Sequence, residues 1–295
     1  MKDNHRLRIT VLGTGMMGVP MARRLSGAGH TVHAWNRTRD KAEPLAADGI
    51  TVHTHVQDAV AGADMVISLL ENGPVVGHVL FELGAAQALR RDALFIDMAS
   101  IQPREARDHA ARLGEMGIAH LDAPVSGGTV GAESGTLAIM AGGRPVDFAR
   151  ALPVLAAFGR ATHVGPHGAG QLAKLANQMI VGITIGAVAE ALLFAAKGGA
   201  DRAKVRDAIS GGFADSRILQ LHGQRMVDRD FAPQGRMTVQ LKDLRNVLAT
   251  AGEIGFDAPV TQLFETLYAE GVEHGLGELD HSGLFVELAS RNAMQ

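Results

Sequence analysis

Residues 8–18 read Arg8-Ile9-Thr10-Val11-Leu12-Gly13-Thr14-Gly15-Met16-Met17-Gly18. A short β-branched run turns at a glycine and enters a helical pattern over residues 17–26. Gly13 permits the tight turn, Gly15 lets backbone come close to a pyrophosphate, and Gly18 lets the helix pack onto the strand. Thr14, Met16 and Met17 fill the positions between them. The helix start offers unbonded N–H groups and the positive end of its dipole to phosphate oxygens. A glycine-rich turn without a ligand is the competing reading of these six residues alone. The second strand-like run, residues 31–35, supplies the strand-turn-helix-strand context that dinucleotide binding needs.

Outward from this turn, strand-like runs at residues 51–53, 65–69, 94–97, 118–122, 137–141 and 161–164 alternate with helical patterns at 41–47, 75–80, 104–116 and 146–156. Such alternation predicts βαβ units and a largely parallel sheet. Pro103 and Pro145 fall at helix starts, where a missing N–H costs nothing. Strand signals end near Val164, and the remainder reads as helix, beginning with residues 170–197. Apolar residues lie on nearly every face of that helix, so it is expected to be buried all round. Further helices are expected at 202–209, 218–226, 238–254, 259–273 and 282–289. The predicted fold class is α/β: a Rossmann-type dinucleotide-binding domain over residues 1–164, then an all-α domain over residues 165–295, joined by a long interdomain helix.

Composition narrows the function. With 28 Lys and Arg against 31 Asp and Glu the net charge is −3, which leaves no electrostatic footprint for nucleic acid or an acidic membrane. Aromatic residues are 4% of the chain, too few for a base-stacking platform. Without cysteine there are no disulfides, thiolate metal sites or cysteine nucleophiles. His163 and His167 straddle Gly165-Pro166, and His53 and His55 lack an acidic neighbour, so no metal site is expected. Residues 1–8 are polar and carry no signal pattern, while Lys174, Asn177, Gln178 and Glu190 interrupt the most apolar stretch. A cytoplasmic protein that does not enter the membrane is the expectation.

The end of the second strand selects the dinucleotide. An acidic residue there would bond the ribose hydroxyls of NAD. This chain has Asn36-Arg37-Thr38 instead, then Arg39 and Lys41. A guanidinium pairs with a 2′-phosphate where an acid would repel it, so NADP is expected, with NAD as the alternative. A solvated basic turn would look the same in isolation. Farther along, Lys174 has Gln171, Asn177 and Gln178 at i−3, i+3 and i+4, which predicts a polar patch on an apolar helix. A helix-end lysine with its head in water is the bland alternative.

These motifs fall in a recognisable order. Residues 13–22, Ala28-Gly29-His30, Asn36-Arg37-Thr38, Asp97-Met98-Ala99-Ser100, Asp122-Ala123-Pro124-Val125-Ser126-Gly127-Gly128, residues 168–177, Lys242-Asp243 and Asp280-His281-Ser282 resemble the β-hydroxyacid dehydrogenase family over nearly the whole chain. That family includes 3-hydroxyisobutyrate dehydrogenases and tartronate semialdehyde (2-hydroxy-3-oxopropionate) reductases. The resemblance implies that Lys174 is the general acid/base, assisted by Asn177. It gives Ser126, Gly127 and Gly128 to the substrate, with Gln178 beside them. It further implies that Leu70, Val75, Ser100 and Lys242 line the cofactor, although Leu70 and Val75 would serve equally as packing residues. Ala99, Gln178 and His167 depart from the family pattern. Independently, the 122–128 stretch leaves a strand end and is glycine-rich, which suits a small anion. The expected activity is hydride exchange between NADP(H) and a small carboxylate-bearing β-hydroxy acid or its semialdehyde, in a homodimer or homotetramer. An imine reductase-like NADPH enzyme and a non-catalytic dinucleotide-binding module are the alternatives, and Lys174 counts against both.

Overall fold

The computed structural model describes residues 6–294. Of the polar start read at residues 1–8, residues 1–5 lie outside the described part. The chain divides into two compact units, Met1–Lys174 and Leu175–Gln295.

Among the described residues the first unit is built on a nine-stranded sheet: β1 (Arg8–Leu12), β2 (Thr31–Trp35), β3 (Thr51–His53), β4 (Met65–Ser68), β5 (Leu94–Asp97), β6 (Ala119–Asp122), β7 (Val125–Ser126), β8 (Leu137–Gly143) and β9 (Gly159–Gly165). The strand order is β3-β2-β1-β4-β5-β6-β8-β7, with β9 paired to β8. Strands β1 to β6 pair in parallel, and β8 runs antiparallel to β6 and β7. Side chains alternate between two apolar layers, as strand periodicity requires. Ile9, Val11, Ile67, Ile96 and Leu121 enter one layer, while Leu12, Val66 and Phe95 enter the other. Burial on both faces explains why these strands read as unbroken apolar runs.

The helices of this unit are α1 (Gly18–Gly27), α2 (Val56–Val60), α3 (Gly73–Gly77), α4 (Ala85–Ala88), α5 (Pro103–Glu115), α6 (Gly128–Ser134), α7 (Pro145–Leu155) and the start of α8 (Ala169–Lys197). Met21, Ala22 and Leu25 of α1 join the first layer with Ala151, Val154 and Leu155 of α7. Ala106 and Leu113 of α5 join the second. The 122–128 stretch, expected as one loop, instead contains β7 and runs into α6. A two-residue strand is too short to show a period in sequence. The short helices α2 and α4 also lie outside the predicted elements, for the same reason of length.

Strand signals stop near Val164, but the first unit extends to Lys174. The cause is hydrogen bonding: the N–H groups of Gly168 and Gln171 donate to the Asp122 carboxylate at 2.8 and 2.9 Å, which ties the start of α8 to the end of β6.

The second unit is helical: the rest of α8, then α9 (Arg202–Ile209), α10 (Gln224–Asp228), α11 (Met237–Ile254), α12 (Pro259–Gly271) and α13 (Leu284–Arg291). Its core gathers Ile185, Ala189, Leu192, Leu241, Leu244, Tyr268 and Phe285. With 29 residues and a mean hydropathy of 2.1 in its most apolar window, α8 is long and apolar enough to span a bilayer. Its bonds to β6 and its place in the second core mark it as a packed helix. It is not buried all round, however: Leu172, Ile180 and Phe194 are 40%, 67% and 81% exposed. Apolar character on every face exceeds what the neighbouring helices of one chain can cover.

Candidate active site

The glycine turn has the shape of a phosphate cradle. Gly13 adopts φ +96°, and a Cβ there would lie 2.6 Å from the Leu69 carbonyl oxygen. A Cβ on Gly18 would lie 1.9 Å from the Gly13 oxygen, so α1 can start this close to β1 only with glycine. Gly15 faces open space, with nothing among the described residues within 4 Å of a Cβ. Thr14 is buried, and its hydroxyl has no hydrogen-bond partner among the described residues. Its N–H donates to Asn36 Oδ1 at 3.1 Å, and Asn36 Nδ2 donates to the Thr38 oxygen at 2.8 Å. Asn36 thereby braces the glycine turn against the end of β2. Met16 is exposed, and Met17 packs against the first apolar layer. Beside the turn, Thr14, Gly15, Met16, Arg23 and Lys41 line a groove of about 980 Å³. A close-approach turn, an unpartnered buried hydroxyl and a basic wall fit a dinucleotide.

The basic residues after β2 are not equivalent. Arg39 is committed to Glu43 at 2.9 Å and to the Thr54 hydroxyl at 2.6 Å. Arg37 is exposed and forms no ion pair or side-chain hydrogen bond among the described residues. Leu70 and Val75 are half-buried against the second apolar layer, and Asn72 caps α3 by accepting the Val75 N–H at 3.0 Å.

Around Lys174 the structure joins segments far apart in sequence. Lys174 Nζ donates to the Val125 carbonyl oxygen at 2.8 Å, directly before Ser126. Ser126 ends β7, and Gly127 and Gly128 follow with φ of +135° and +63°. Gln171, expected on a polar patch with Lys174, is fully buried. Its Nε2 donates to the Ala99 oxygen at 2.8 Å, and its Oε1 accepts from the Ile101 N–H at 3.1 Å. The ends of β5 and β6 enclose that turn of helix, which is why the patch does not form there. Ser100, assigned to the cofactor by resemblance, is the residue between those two bonds. His167 Nε2 bonds to the His120 carbonyl oxygen at 3.0 Å, so its ring is committed to β6.

Asn177 and Gln178 belong to the second unit. Asn177 Nδ2 donates to Gln178 Oε1 at 2.8 Å, and Gln178 Nε2 donates to Asp243 Oδ2 at 2.7 Å. Lys242 Nζ lies 3.2 Å from Asp243 Oδ1. Asp243 thus holds both Gln178 and Lys242, a role that adjacency in the Lys242-Asp243 pair only hinted at. The resemblance motif Asp280-His281-Ser282 closes another part of this unit. Asp280 accepts the Ser282 N–H and hydroxyl on Oδ1, at 3.1 and 2.6 Å, and the Gln234 and Gly235 N–H groups on Oδ2. His222, 59 residues from its hydrogen-bonding partner His281, stands beside it, as does Arg225 at 3.8 Å. Burial opposes ionisation of Asp280, but His222, His281 and Ser282 hold it well below the usual carboxylate range. Through these bonds Asp280 ties Gln234, Gly235 and Ser282 together.

Asp97, at the end of β5, carries an unusual proton. Complete burial pushes its carboxyl up to about 7, against the opposing hydrogen bond from the Ala99 N–H. Burial likewise raises Asp122, its register partner on β6, although the Gly168 and Gln171 N–H groups pull the other way. For Asp97 the unfolded chain ionises near pH 3.8 while the folded protein holds its proton to about 7. Stability therefore falls as pH rises through that window. Asp97→Asn mimics the protonated acid. It should match the parent near pH 4 and gain on it by about 1.4 kcal/mol per pH unit up to neutrality in denaturant unfolding. A gap independent of pH would show an ordinary carboxylate.

Comparison with known proteins covers both units. A family model described as the NAD binding domain of 6-phosphogluconate dehydrogenase matches residues 8–166. Another, described as NAD-binding of NADP-dependent 3-hydroxyisobutyrate dehydrogenase, matches residues 168–288. The chain is 40% identical over 280 residues to 2-hydroxy-3-oxopropionate reductase of Escherichia coli K12, covering 94% of this chain and 96% of that one. A solved Mycobacterium tuberculosis 3-hydroxyisobutyrate dehydrogenase with L-serine superposes with a TM-score of 0.89 at 33% identity, over 96% of this chain and 99% of that one. An imine reductase from Streptomyces aurantiacus shares the fold at 22% identity, with a TM-score of 0.66 over 97% and 99% of the two chains.

Proposed function

This chain belongs to the β-hydroxyacid dehydrogenase family and is an NAD(P)-dependent oxidoreductase, and from that premise we propose that it interconverts a small β-hydroxy acid and its semialdehyde with NADP(H). The observation that carries the reading is the bond from Lys174 Nζ to the Val125 oxygen, which sets an ammonium beside Ser126-Gly127-Gly128. A short substrate spans that distance: its carboxylate takes the Ser126 hydroxyl and loop N–H groups, and its carbonyl oxygen meets the ammonium. The nicotinamide, when bound, supplies or accepts the hydride. Lys174 donates a proton to the oxygen during reduction and takes it back during oxidation. The family resemblance gives Asn177 the part of assisting this transfer. The names of the Escherichia coli and Mycobacterium tuberculosis relatives support this substrate class. NADPH oxidation against a panel of C3–C4 semialdehyde acids tests it, and a panel with no turnover overturns it.

The uncommitted Arg37 supports NADP over NAD. A charge-assisted bond of about 1.5–3 kcal/mol to a 2′-phosphate is worth roughly 10–100-fold in affinity. Arg37→Ala should weaken NADPH binding by that factor in a fluorescence titration and leave NADH nearly unchanged. Equal weakening of both would assign Arg37 to the fold.

A further inference from the structure

Lys174 can deliver a proton accurately only if the first turns of α8 are held still, and the structure shows how they are held. Asp122 takes the Gly168 and Gln171 N–H groups on its two oxygens. A Cβ on Gly170 would come within 2.4 Å of the Asp122 and Met140 carbonyl oxygens, so the helix start is seated directly on β6 and β8. The remaining attachment is the Gln171 carboxamide. It binds the Ala99 oxygen and the Ile101 N–H together, as a neighbouring strand would, and so clamps the segment that displays Ser100. Gln171 stands three residues before Lys174, one helical turn, on a rigid element. It is fully buried, and its polar atoms are used on backbone groups rather than left for a ligand.

We propose that Gln171 is a positioning residue: its carboxamide locks α8 to the 99–101 segment and thereby sets where the Lys174 ammonium stands relative to the Ser100 side of the site. The proposal rests on Lys174 being the proton donor. Its chemistry is specific to an amide, because one end must donate to a carbonyl and the other must accept from an N–H. Methionine fills similar space and makes neither bond. An ionised glutamate would set an acceptor against the Ala99 oxygen, whereas a protonated glutamate restores one donor and one acceptor.

The test compares the full-length parent with Gln171→Met, Gln171→Glu and Lys174→Ala in steady-state semialdehyde reduction, alongside melting curves and NADPH titration. Displacing a reacting group by about 1 Å costs on the order of 100-fold in rate. Gln171→Met is therefore expected to lower kcat about 10–100-fold, with substrate KM and NADPH affinity within about 3-fold of the parent. For Gln171→Glu, the ratio of its kcat to that of the parent should rise as pH falls from about 8 to about 6, the range where a buried glutamate protonates. Parent-like kcat in Gln171→Met, with Lys174→Ala inactive, overturns the positioning role and leaves the proton donor standing. An active Lys174→Ala overturns the donor, and the positioning role with it. If Gln171→Met does not fold, the glutamate ratio decides: a value independent of pH overturns the proposal.

Discussion

Lys174→Ala is expected to lower kcat by about 10²–10⁴-fold, the range for loss of a general acid/base. Its bond to the Val125 oxygen places the ammonium next to Ser126, on a half-buried side chain rather than one extended into water. Removing it leaves the Asp122 and Gln171 attachments of α8 intact. Folding should therefore survive, with a melting temperature close to that of the parent. NADPH affinity should also be nearly unchanged, since the glycine turn and Arg37 lie on other segments. Loss of kcat with binding and stability preserved separates a proton donor from a structural lysine. If most of the activity remains, the proton comes from another group, and the assignment of Lys174 fails.

The second large effect concerns the substrate carboxylate. A β-hydroxy acid carries its oxidised carbon one atom beyond the α-carbon, so carboxylate and carbonyl sit at opposite ends of a short molecule. If the carbonyl oxygen meets Lys174, as proposed, the carboxylate is expected at the Ser126 hydroxyl and the N–H groups of the following glycines. Tartronate or methylmalonate semialdehyde should be reduced readily, and propanal should not. Losing two or three charge-assisted bonds at about 1.5–3 kcal/mol each lowers kcat/KM by more than 100-fold. Ser126→Ala removes one of those donors, so it should narrow the gap between acid and non-acid substrates. Propanal or a cyclic imine reduced as well as the semialdehyde acids would sink the carboxylate clamp. It would favour the imine reductase alternative, whose fold this chain shares.

The sequence by itself determined the βαβ alternation, the glycine turn and the switch to helix after Val164. Each is a local property. Turn geometry at Gly13 depends on one residue's φ, alternation on neighbours two apart, and a helix pattern on neighbours three and four apart. Even so, β7 escaped detection because two residues carry no period, and α8 was read as wholly buried because composition cannot count its neighbours. Tertiary structure decided the rest. Asp122 read as the first residue of a loop and proved to be the anchor of α8. Gln171 read as part of a polar patch and is fully buried, bonded to Ala99 across 72 positions. Lys174 meets Val125 across 49 positions, and Asp97 keeps its proton because the fold removes all its water. Hydrogen bonds between distant segments and the loss of solvent around a carboxyl exist only once the sheet and the residues around the start of α8 have packed, so no local pattern in the chain encodes them.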